Sequence, residues 1–282
     1  MSVSTREDAA PDQRPAPERR YRLGFPPAAS LPSWVLGVLG ALVMIALWQA
    51  AHSLEWMSPR LLPAPGTVAV TLVDLFGEGY GEDVAISVWR IVLSFAIACA
   101  VAIPLGLVIG ASQVASAWMS PTISAFRYLP APAFTPLLLM WLGPGDEQKI
   151  ALLILGVIWF LITLIADHVR AVRKELIETA LTLGASTRQL YLTVILPAAA
   201  PRIWDALRQM LAVSWTYLVI AEIVAATNGI GAMMMRAQRF VRVDEVMAGI
   251  VTIGLLGILF DLAFRAAGAK LFHYERHERL QS

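Results

Sequence analysis

The chain has 282 residues, of which 57% are hydrophobic and 15% charged, against ~25% charged in an average soluble domain. Its mean hydropathy is +0.64, so lipid must be the solvent for much of its surface and a water-soluble globular protein is excluded. The formal net charge of +1 offers no basic excess to displace counterions, which argues against a nucleic-acid partner.

Residues 1–30 are polar and rich in Pro and Arg; they read as a largely disordered cytoplasmic arm. The apolar run that starts near Ser33 is too long for the h-region of a cleavable signal peptide. About 20 apolar residues cross ~30 Å of hydrocarbon. Six such spans are predicted, at 33–52, 84–111, 119–142, 150–167, 203–227 and 245–268. In lipid they must be helices, because exposed backbone polar groups find no water there. Continuous rather than alternating apolar runs exclude a membrane barrel. Lys and Arg set the orientation. They are concentrated in the arm, in the 168–202 loop and in the 271–282 tail, while the other side holds Arg60, Lys149, Arg236, Arg239 and Arg242. Both termini and the 168–202 loop are therefore predicted to be cytoplasmic. The whole of 31–270 is one transmembrane domain, and the fold class is all-α.

Several residues within this framework carry candidate functions. Ionisable groups inside a span are expensive, at ~2.5–3.5 kcal/mol each on insertion scales, and so usually have a role or a partner. Arg90 and Glu222 lie ~9 Å and ~8 Å from the outer ends of the second and fifth spans. Three arrangements fit: an ion pair, an Arg90 that faces the path and attracts an anion, or two side chains that snorkel to the interface. Cys99, the only cysteine, falls in an apolar run and reads as space-filling. The third span carries Pro121, Pro130, Pro132 and Pro136. Each proline removes a helical hydrogen bond, so the span is expected to be broken and to line a watery path or to kink against neighbours. Arg127 stands just before this stretch, where it would contact substrate or cap carbonyls.

The polar-apolar stretch after the fourth span reads as two short helices, the first from Asp167 to about Leu183. Gly184 stops it. The second starts from an N-cap at Ser186 and is expected to end at Pro197. Together they make a compact knob. Beyond the fifth span, Met233, Met234 and Met235 precede Arg236, Arg239 and Arg242. The methionines would make an adaptable gate; the arginines form either a basic docking face or an ordinary solvated one. Asp261 and Arg265 have the i,i+4 spacing of a local ion pair. His273 and His277 share that spacing in the tail, but no acidic partner completes a metal site.

The stretch Glu178-Thr179-Ala180, with Gly184 four residues after the alanine and Ile195-Leu196-Pro197 at its close, resembles the cytoplasmic "EAA" loop of bacterial ABC importer permeases. The resemblance extends over about residues 55–270. It includes Leu62-Pro-Ala-Pro-Gly-Thr-Val68, Ser87-Val-Trp-Arg90, Ile103-Pro-Leu-Gly-Leu-Val-Ile-Gly110, Arg127-Tyr-Leu-Pro130, Trp141-Leu-Gly143, Trp215 through Ala226, and Gly229-Ile-Gly231. These residues resemble the nitrate/sulfonate/taurine/bicarbonate branch of type I importers with the MetI-like fold. The one departure in the loop is Thr179, where the family has alanine; it is small enough to be tolerated.

The resemblance implies a non-catalytic inner-membrane subunit that imports a small anion. It further implies pairing with a second copy of itself, two ABC ATPase subunits that bind ATP and Mg, and a periplasmic substrate-binding protein. Glu178, Thr179, Ala180, Gly184, Ala185, Arg188, Leu196 and Pro197 are then the candidate ATPase-coupling residues. Arg90, Arg127, Pro130, Glu222, Met234 and Arg236 are the pathway candidates. No cofactor or metal is expected in this chain: its lysines are Lys149, Lys174 and Lys270, none preceded by the glycine that a phosphate-cradling Gly-Lys-Ser/Thr loop needs. The alternatives are a type I ABC permease for another small solute, or a secondary transporter or channel. A secondary transporter or channel would show repeats or a relay of buried acids, and neither is visible.

Overall fold

The computed structural model describes residues 32–225 and 227–273. The expected arm, and all but the first residues of the expected tail, lie outside them. The described residues are almost entirely helical, with no strand among them. Five helices are long and apolar enough to cross a membrane: α1 (Ser33–Ser53), α3 (Tyr80–Ala111), α6 (Asp146–Arg170), the continuous run Thr187–Val224, and α11 (Val243–Leu271). Each overlaps a predicted span. A shorter helix, α2 (Pro65–Gly77), precedes α3, and Pro65 occupies its first turn, where a missing N–H costs nothing.

The predicted third span is not one helix. It divides into α4 (Gln113–Tyr128), a 3-10 turn (Ala131–Phe134) and α5 (Thr135–Leu142). The break falls at Leu129-Pro130, both in extended backbone. A residue before proline is driven out of the helical region, and Pro130 cannot donate back to the preceding turn. Pro121 and Pro104, by contrast, are carried within α4 and α3.

The centre of residues 49–273 is α6, which is flanked by α3 and α9 (Leu196–Ala225). Small residues let these backbones approach. A Cβ on Gly106 would meet Ile165, and one on Gly110 would meet Val169 Cβ at 2.5 Å. On the other face of α6 a Cβ on Gly156 would sit 2.5 Å from the Tyr217 ring of α9. Without a hydrophobic drive between helices in lipid, such close packing is what holds them together. Leu152, Leu153, Leu161 and Ile165 of α6 are fully buried.

The loop after α6 differs from expectation in two places. The first helix is interrupted: α6 stops at Arg170, and α7 runs only Lys174–Thr182. Gly184 then turns the chain at φ +80°, as its lack of a Cβ permits. The second correction concerns Pro197, which ends nothing. From Ser186 the chain passes through a helical turn, α8 (Thr187–Gln189), and a π-helix (Leu190–Ile195) directly into α9. The physical reason is the π-helix. Leu196 N–H already donates to Tyr191 O, five residues back, so the register has been widened before the proline arrives. Proline at the start of the following α-helical stretch costs little.

Candidate functional site

Two polar assemblies stand at opposite ends of α6, a 25-residue helix about 37 Å long at 1.5 Å per residue. At its start lies a network centred on Arg90. Its side chain is fully buried, and all five guanidinium N–H groups are used. Nε and Nη2 donate to Asp146 Oδ1 at 3.0 and 2.7 Å. Nη1 donates to Glu222 Oε1 at 2.6 Å and to Asn228 O at 3.0 Å. Nη2 also donates to Asn228 Oδ1 at 2.6 Å. Of the three arrangements considered for Arg90 and Glu222, the structure contains the ion pair. With every donor engaged inside the protein, Arg90 offers none to a passing anion.

Glu222, also fully buried, is satisfied in turn. Its Oε1 accepts from Ser87 Oγ at 2.8 Å, and its Oε2 from Gly231 N–H at 2.8 Å. Ser87 Oγ accepts from Ile230 N–H at 2.9 Å. Gly229 sits at φ +108°, and a Cβ there would overlap the Glu222 carboxylate and stand 2.7 Å from Arg90 Nη1. Only glycine fits. Its N–H donates to Asp83 Oδ1 at 2.6 Å, while Asp83 Oδ2 accepts from Arg236 Nη2 at 2.8 Å. Arg236 Nη1 reaches Thr227 O at 2.7 Å. The network thus fastens the segment after α9 to the starts of α3 and α6. Arg236 is anchored in it; it is not merely a solvated face. Asp83, Asp146 and Asn228 were not singled out by sequence. Their hints were an acid in the first turn of each of two spans and an Asn-Gly pair.

Met234 is half-buried on α10 (Ile230–Arg239) and packs on α11 at Gly249, where a Cβ would meet Met234 Cγ at 2.5 Å. Asp261 pairs with Arg265 at 2.7 Å, as its spacing predicts, and with Arg208 of α9 at 2.7 Å. Pro130 is exposed beside the break after α4. Arg127 is half-buried, and no hydrogen bond or ion pair among the described residues involves its side chain; its Nε is buried without a partner. Among the described residues its side chain caps no carbonyl.

At the other end of α6 lies the knob of α7, Gly184 and Ser186. Ser186 and Gln189 form a capping box: Gln189 N–H donates to Ser186 Oγ at 3.4 Å, and Ser186 N–H donates to Gln189 Oε1 at 2.9 Å. Two otherwise orphaned donors are satisfied reciprocally. No residue of α7 is buried. Glu178 and Thr179 are exposed, Ala180 is half-buried, and Leu181 and Leu183 stand out at 53% and 82% exposure. Large apolar side chains held out to solvent on a small element are what a docking surface presents. Beyond Ser186 the chain enters the helical run Thr187–Val224, which carries Glu222 near its far end.

Residues 102–273 match the family described as the binding-protein-dependent transport system inner membrane component. The chain belongs to this family. The permease is 34% identical to the taurine transport system permease protein TauC of Escherichia coli over 235 residues, covering 81% of this chain and 86% of TauC. It is 25% identical to the nitrate import permease protein NrtB of Synechocystis, with 82% and 86% covered. Its fold is similar to that of the MetNI methionine ABC transporter in an inward-facing conformation, at a TM-score of 0.60 and 19% identity, covering 71% of this chain and 97% of that one. The permease therefore has the MetI-like fold of ABC importers.

Proposed function

We propose that this permease pairs with a second copy of itself in the bacterial inner membrane and forms the path of an ATP-driven importer for a small oxyanion, such as a sulfonate, taurine or nitrate. Both termini and the 168–202 loop face the cytoplasm. Separate ATPase subunits bind ATP and Mg and dock on the knob at Glu178, Thr179, Ala180, Gly184, Ala185 and Arg188. A periplasmic binding protein delivers the anion at the opposite end, and Arg127 and Pro130 line the path. The chain itself catalyses no reaction. The observation that carries this reading is the helical run Thr187–Val224, which starts at the Ser186 capping box beside the exposed α7 and reaches the far end of the membrane domain. It turns a push on the knob into a movement of the whole span. The anion class is supported by the taurine and nitrate permeases among its relatives.

The test is reconstitution in vesicles with an ABC ATPase and a substrate-binding protein from the same organism. ATP-dependent accumulation of taurine, an alkanesulfonate or nitrate is expected. Uptake that proceeds equally well without the ATPase would sink the proposal.

A further inference from the structure

At the knob end of α6, between α3, α4 and α6, is a cavity of about 290 Å³, at the small end of ligand pockets. Its polar lining is Ser120, Ser124, Arg127, Thr163, Asp167 and Arg170, backed by Ile123 and Ile162. Ser120, Ser124 and Arg127 follow one another at i, i+4 and i+7, along one face of α4.

The charges in this cavity do not cancel. Asp167 is its one carboxylate, and Asp167 Oδ1 already accepts from Arg170 Nη1 at 2.8 Å. Arg170 spends Nη2 on Ser116 Oγ at 2.9 Å. Thr163 donates to Trp159 O in its own helix. What remains is the Arg127 guanidinium, with Nε buried and unpartnered, and the Ser124 hydroxyl three residues before it, which also takes part in no hydrogen bond among the described residues. A buried cationic donor left without an acceptor is costly and rare. The planar fork of arginine matches two oxygens of one carboxylate, sulfonate or phosphate.

We propose that this cavity is an oxyanion-binding site, in which Arg127 supplies the charge and fork and Ser124 a hydroxyl donor. The inference deepens the path reading of Arg127, from which it takes only the choice of anions to offer. The shared chemistry is a singly or doubly charged head of three or four oxygens, which either a small free anion or the phosphate of an anionic lipid presents.

The full-length chain in nanodiscs of phosphatidylcholine, without ATPase, is titrated with radiolabelled sulfate and with taurine. In parallel, chain purified from membranes containing phosphatidylglycerol is examined by native mass spectrometry for retained lipid. Saturable sulfate or taurine binding that weakens by at least about tenfold in Arg127→Gln and partly recovers in Arg127→Lys identifies the free anion as occupant. One phosphatidylglycerol per chain, lost in Arg127→Gln, identifies the lipid headgroup. Ser124→Ala should weaken the same occupant by a smaller factor, and it decides the matter if Arg127→Gln does not fold. Equal anion binding and equal lipid retention in wild type and in the folded variants would overturn the site. Because no uptake is measured, failure of the import reading leaves this result unaffected.

Discussion

Replacing Arg90 by alanine should destabilise the permease severely, and the structure sets the scale. Five guanidinium bonds are lost. At ~0.6 kcal/mol for an average side-chain hydrogen bond in a membrane protein, they amount to about 3 kcal/mol. An independent route starts from the charges. Glu222 has no exposed surface in its side chain, whereas the Asp146 side chain is half-exposed. Asp146 regains water when Arg90 is removed and costs under about 1 kcal/mol. Glu222 is stranded, and removing one partner of a buried pair costs about 3–5 kcal/mol. The Ser87 and Gly231 donors that remain on Glu222 pull the expected loss to the lower end, about 3 kcal/mol. The assay is reversible unfolding in mixed micelles for wild type, Arg90→Ala, Glu222→Gln and the double variant. The double variant should be less damaged than the sum of the singles, with a coupling of about 1–3 kcal/mol. Losses that add within ~0.5 kcal/mol, or an Arg90→Ala protein of wild-type stability that fails only in transport, would refute the structural role and return Arg90 to the path.

Further outcomes follow from the packing and the knob. Gly184→Val meets no neighbour, since nothing lies within 4 Å of its Cβ position, but it must hold φ +80°; the strain of ~1–2 kcal/mol should reshape the knob and lower coupled uptake while the thermal midpoint of the membrane domain barely moves. Gly156→Val drives a side chain into the Tyr217 ring; a loss of at least ~1–3 kcal/mol should appear in the same unfolding assay. Ser186→Ala removes the capping box, at ~1 kcal/mol; hydrogen exchange at Gln189 and the residues just after it should quicken several-fold, with α3 unchanged.

Much of the knob was legible because its signals are local. Gly184 at a helix stop and Ser186 at a helix start act on backbone within a few residues, and both appear where the spacing predicted. The broken third span was legible for the same reason, since Pro130 acts on Leu129 and on the turn before it. The matching depths of Arg90 and Glu222 allowed an ion pair among three arrangements without choosing it. The rest of their network was not legible. Asp146 is 56 residues from Arg90, and Asn228 is 138; only the packing of α3, α6 and α9 brings them together. Pro197 misled because proline normally ends or kinks a helix, and the π-helix that accommodates it has no composition signal of its own. The unpartnered state of Arg127 is a negative fact about its surroundings, which no sequence pattern records.

The central claim is that ATPase subunits work the exposed knob from the cytoplasmic side. The most direct test places a single thiol on it, Ala180→Cys in a Cys99→Ala background, in membranes that also contain the ABC ATPase with which the chain reconstitutes transport. A membrane-impermeant maleimide should label this position only in inside-out vesicles, and a short bifunctional crosslinker should join it to the ATPase subunit. Labelling in right-side-out vesicles, or no crosslink in an assembled and transporting complex, would contradict the account.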